Sequence, residues 1–91
     1  MTHETFKRME RIDQLIRIKG TGTAEQLAEK LGISWKSVYN LLNEMKDRGA
    51  PIKFDQFRGS YYYNEEGYFK IAIYFKRKEA LATVKNWSVN H

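Results

Sequence analysis

The 91-residue chain has no cysteine, which excludes a disulfide framework and a thiolate metal site. It has one proline, Pro51, and no internal repeat or low-complexity stretch, so nothing in its composition marks a disordered linker. It lacks both a signal-peptide pattern and an apolar run near the roughly 20 residues that cross a bilayer. A cytoplasmic protein that does not engage a membrane is therefore expected. Histidine occurs only at His3 and His91, near termini where order is least expected. No glycine-rich phosphate loop follows a strand, and there is no nucleophile motif or metal-ligand spacing. The adjacent carboxylates Glu65 and Glu66 sit on a turn signal without a histidine nearby, a poor arrangement for acid–base work. The expectation is a non-enzyme with no cofactor, no metal and no small-molecule ligand.

What is present is one small domain's worth of residues, with a formal net charge of +5. Positive charge favours an anionic partner, but it is unevenly placed. Residues 1–19 hold five Lys/Arg against three Asp/Glu, whereas residues 20–50 hold four against four. The surplus thus lies on the flanks of the central segment, where it either contacts phosphates or keeps a small domain soluble.

That central segment, residues 23–49, carries the sharpest pattern. Thr23 followed by Gln26 is a capping box. Leu27, Ala28 and Leu31 form one apolar face, and Gly32 offers a left-handed stop. Ile33 is expected to be buried in the turn, and Ser34 to cap the next helix. There Val38, Leu42 and Met45 recur at helical spacing and mark an inner face. Trp35, Lys36, Ser37, Tyr39 and Asn40 then point outward. Two short helices joined by a tight turn, the second presented N-terminus first, suit a DNA major groove.

The flanking residues complete the order. Residues 5–19 read as a first helix, with Phe6, Met9, Ile12, Leu15 and Ile16 on one stripe and Thr5 as its cap. Gly20-Thr21-Gly22 breaks it. Gly49 and Pro51 stop the third helix. Ile52-Lys53-Phe54 and Tyr61-Tyr62-Tyr63 read as strands joined by a loop over 56–60. Alternation sets Tyr62 on one face and Tyr61 and Tyr63 on the other. Tyr68 to Phe75 alternates as a further strand, and Glu79 to Trp87 reads as a short helix with Leu81, Val84 and Trp87 on its apolar side. These last two elements either cap the domain's own core or form a two-fold dimer interface.

The order of these parts resembles the winged helix-turn-helix regulators of the DeoR, biotin-repressor and WYL-associated type. The match runs from Met9–Ile18 through Thr23–Ser34 and Ser37-Val38-Tyr39 with Leu42. It continues through Gly49-Ala50-Pro51-Ile52 to Gly59-Ser60-Tyr61-Tyr62-Tyr63, about two thirds of the chain. The family usually carries Arg or Lys where this chain has Trp35, Arg where it has Asn40, and often Asp where it has Leu41. The resemblance implies an α+β fold, with residues 1–64 as a three-helix winged helix-turn-helix domain. It runs out beyond the wing, where residues 65–91 are expected from their own patterning as a C-terminal strand–helix extension.

The function it implies is sequence-specific binding of double-stranded DNA by a small transcriptional regulator. The helix over 35–48 would enter the major groove, with the wing at 56–60 on the flanking backbone. A homodimer through residues 68–87 is expected separately, from the apolar patterning there and the two-fold symmetry usual for small regulators. The expected contacts are Ser34 and Lys36 on phosphates, Trp35, Ser37 and Asn40 on bases, Tyr39 on the backbone, and Lys53 and Arg58 from the hairpin. Several of these residues have a second role open to them. Trp35 meets either DNA or a protein surface. Asn40 pairs with adenine or is plain helix surface. Arg58 contacts phosphate or is simply solvated. Leu41 is buried by tight packing or exposed as in the family pattern. The alternative function is a winged-helix protein–protein interaction module that does not bind DNA.

Overall fold

The structure is a computed structural model and describes residues 2–70. Three helices, α1 (His3–Arg17), α2 (Ala24–Leu31) and α3 (Trp35–Asp47), precede an antiparallel hairpin of β1 (Ile52–Asp55) and β2 (Ser60–Tyr63). The class is α+β, in an order compatible with a winged helix. Of the expected C-terminal strand and helix, all but residues 68–70 lie outside the described residues. Those three pair with no strand among the described residues.

The first helix begins earlier than the sequence pattern suggests. Its cap is Thr2 rather than Thr5: the Thr2 hydroxyl accepts the Thr5 N–H at 3.1 Å. Capping from Thr2 places Glu4 in the first turn, where the helix dipole favours an acid. The helix also ends two residues early. Lys19, not a glycine, takes the left-handed conformation at φ 56°. The Lys19 N–H then reaches Ile16 O at 3.0 Å and the Gly20 N–H reaches Leu15 O at 2.8 Å. This paired closure satisfies carbonyls that a helix end would otherwise leave open. The other two helices close the same way, on Gly32 and Gly49, at φ 68° and 104°. At those two positions a side chain would strain the backbone.

The turn between α2 and α3 follows the sequence closely. The Thr23–Gln26 capping box is complete, and the Ser34 hydroxyl accepts the Ser37 N–H at 3.1 Å. Ile33 is half-buried against the core rather than enclosed in it. One apolar cluster joins the three helices to the hairpin. Met9, Ile12 and Ile16 of α1, Leu27 of α2, and Val38, Leu42 and Met45 of α3 form its centre. Leu41 is 9% exposed and belongs to this core, which settles the ambiguity at that position in favour of packing.

Two polar ties dock the hairpin on the helices. Thr21 is fully buried between α1 and α2. Its hydroxyl accepts the Tyr61 N–H at 2.8 Å and lies 2.9 Å from the Ser60 hydroxyl. Asp13, buried in the middle of α1, accepts from the Tyr63 hydroxyl and from the Phe69 N–H, both at 2.7 Å. Its other oxygen pairs with Arg17 at 3.1 Å. A buried carboxylate is tolerable only with such partners.

Candidate nucleic-acid interface

Helix α3 is buried along one side and open along the other. Val38, Leu41, Leu42 and Met45 occupy the inner side. Spacing of three and four residues places Lys36, Asn40 and Asn43 along an outer ridge, and all three are exposed. Asn43 was missed in the sequence pattern, although its spacing from Asn40 puts it on the same ridge. No acid stands in the first turn of α3, in contrast to α1 and α2. The positive end of its dipole is therefore uncompensated.

The two flanks of that ridge differ. Toward α1, Ser37 and Asn40 line a shallow cleft with Thr5, Arg8, Leu41 and Glu44. Ser37 is half-buried, and its hydroxyl accepts from the Ser34 hydroxyl at 3.0 Å. Ser34 and Ser37 are thus already engaged in capping. On the other flank, Trp35 and Tyr39 stack edge to face at 5.7 Å and are 56% and 43% exposed. Tyr39 is also an electrostatic neighbour of Tyr61 on the hairpin. Burial, first, and then the neighbouring Tyr39 push the Tyr61 phenol up to about 12. Tyr61 in turn packs edge to face on Phe54, with centroids 4.9 Å apart. One edge-to-face pair thus stands on α3 and a second on the hairpin. The tyrosine triplet signalled a strand, but only the folded chain shows which rings meet.

The cations expected on the hairpin, Lys53 and Arg58, are present on its exposed surface. Lys53 stands opposite Tyr62 in the register, so the pleat sets both on the face turned away from the packed Ile52, Phe54, Tyr61 and Tyr63. Arg58 lines a cleft with Lys19, Asp55 and Tyr62. It is paired only loosely with Asp55, at 3.8 Å and with 60% of its side chain exposed, a contact worth about 0–1 kcal/mol.

The turn itself is tightly made. The Asp55 carboxylate accepts the N–H of Phe57 at 2.9 Å and that of Arg58 at 3.2 Å, and the Asp55 carbonyl accepts from Gly59 at 2.7 Å. Phe57, within the loop expected over 56–60, is held there with its whole surface in solvent.

No helix among the described residues is long and apolar enough to cross a membrane. No protein-family model, curated protein or solved structure matches this chain.

Proposed function

We propose that this chain is a winged helix-turn-helix domain that binds double-stranded DNA in a sequence-specific manner, as a small transcriptional regulator. Helix α3 enters the major groove and the hairpin acts as a wing on the flanking backbone. The observation that carries this reading is the division of α3. Its inner side is committed to the core, and its outer ridge offers Lys36 in the uncompensated first turn and Asn40 and Asn43 further along. Lysine supplies phosphate contact and asparagine the bidentate geometry that adenine accepts. Lys19, Lys53 and Arg58 add cations from the flanks. A homodimer through residues 68–87 forms part of the proposal, because two-fold pairing matches two half-sites.

Selection against random duplex DNA at low salt, with a mass measurement of the free chain, tests this. An enriched motif and a salt-dependent affinity are expected. No enrichment over an unrelated neutral protein would sink the reading. Within it, Asn40→Ala relaxes base preference at one position by about 1–3 kcal/mol.

A second reading is favoured by Trp35 and Tyr39. Two large aromatics exposed at the head of α3 also suit a protein partner. If Trp35→Ala leaves DNA affinity unchanged yet abolishes capture of a protein that protects α3 from hydrogen exchange, the interaction module is the better account.

A further inference from the structure

We propose that Phe57 at the tip of the hairpin is a wedge that enters between two adjacent base pairs and kinks the duplex at a pyrimidine–purine step. This rests on the DNA-binding reading above and adds an activity, bending, that the reading does not require.

Three observations converge. Phe57 is fully exposed, so it contributes nothing to the domain's own core. It is nevertheless held firmly, because the Asp55 carboxylate accepts the backbone N–H groups of both Phe57 and Arg58 and the Asp55 carbonyl accepts from Gly59. A side chain presented on a fixed turn loses little backbone entropy when it is buried in a partner. A cation adjoins it: Arg58 follows Phe57 with 60% of its side chain exposed, and Arg58 shares a cleft with Lys19. The one carboxylate at the tip, Asp55, is turned into the loop by those hydrogen bonds.

An exposed apolar ring with a cation beside it fits a partner whose surface is anionic and whose interior is apolar. Duplex DNA has that character: phosphates outside, stacked bases inside. Apolar side chains of other architectures enter base steps from the minor groove and unstack them. Pyrimidine–purine steps unstack most readily, so the insertion point reads sequence through deformability rather than through hydrogen bonds. Arg58, one residue on, is exposed and can neutralise a phosphate beside the insertion point.

The test uses the full chain and the duplex enriched by selection, labelled with a dye pair at its two ends. Energy transfer reports the end-to-end distance for wild type, Phe57→Leu and Phe57→Ala. Wild type is expected to shorten that distance, Phe57→Leu to keep most of the shortening, and Phe57→Ala to lose it while binding roughly tenfold more weakly. Circular dichroism and melting of the free variants should match wild type, since the ring touches no core residue. Changing the step beneath the hairpin to a stiff A-tract should weaken wild type but not Phe57→Ala. A straight duplex with wild type, or equal bending by wild type and Phe57→Ala, overturns the wedge while leaving DNA binding intact. If no duplex is enriched, the wedge and the DNA-binding reading fall together.

Discussion

The two ends of the hairpin are held in opposite ways. At its base, Ile52 enters the core and Tyr63 donates to buried Asp13, and this anchoring runs along β2 as far as Tyr61, one pair short of the turn, whose N–H is taken by buried Thr21. At its tip, Phe57 and Arg58 project into solvent from a turn whose hydrogen bonds are all internal to residues 55–59. The contrast separates two jobs along four-residue strands. Substitutions at the base should cost stability, with affinity per folded molecule preserved. Substitutions at the tip should do the reverse.

The sharpest way to break this contrast is Asp13→Ala. It leaves the Tyr63 hydroxyl, the Phe69 N–H and one guanidinium without their shared acceptor. Removing one member of a buried charged network costs about 3 kcal/mol, read as a lowered midpoint in urea. Asp13→Asn, which keeps an acceptor for Tyr63, should cost less. A loss of DNA affinity in the folded Asp13→Ala protein as large as its loss of stability would show that base and tip are coupled.

Alkaline pH probes the same base without mutation. Burial, and then its hydrogen bond to the Asp13 carboxylate, raise the Tyr63 phenol well above its ordinary value, and burial raises Tyr61 to about 12. Folding therefore favours the neutral phenols. Their contribution is intact below the ordinary tyrosine pKa of about 10. It is lost as pH rises from there through about 12. Urea midpoints should fall over that window, and the phenolate absorbance of these two residues should appear only with unfolding. Titration of every tyrosine near the ordinary value in the folded protein would contradict this.

Thr21→Val is the next step down. It keeps the shape but removes the hydroxyl that meets Tyr61 N–H and Ser60. A buried N–H left without a partner costs about 1–3 kcal/mol, so a loss near 1–2 kcal/mol is expected in chemical denaturation.

How much of this was legible beforehand follows the range of the physics. The capping box at Thr23, the left-handed stop at Gly32 and the Ser34 cap are interactions over three or four residues, and their signals lie within one window of sequence. The inner stripe of α3 was legible for the same reason, although Leu41 needed the neighbouring helix to decide its side. The start of α1 was misplaced because Thr2 and Thr5 are equally good caps locally. Its end was misplaced because a lysine, not a glycine, takes the left-handed turn. Asp13 was the largest omission. Its signal was present, an acid four residues beyond Met9 on an apolar stripe with Arg17 four residues further on. Its partners, however, lie 50 and 56 residues away. Tyr61 packing on Phe54, and Phe57 standing clear of the other described residues, are likewise products of tertiary placement. Residue types at the candidate interface were readable in the sequence; which of them share a surface was not.

The smallest effect on stability, and the cleanest on binding, belongs to Arg58→Ala. The guanidinium pairs with Asp55 at 3.8 Å from a mostly exposed position, and the turn is held by the Asp55 oxygens on backbone N–H groups rather than by Arg58's side chain. Stability should therefore change by no more than about 0.5 kcal/mol. If the tip meets the duplex backbone, removing one cation forfeits the counterion release of one phosphate. The slope of log affinity against log salt should then become shallower by about 1, uniformly across sequences. Lys36→Ala should do the same from α3, and the double variant should flatten the slope by the sum, since the two sites share no contact. An Arg58→Ala protein with an unchanged salt slope would place the hairpin tip away from the duplex, leaving α3 alone in the groove.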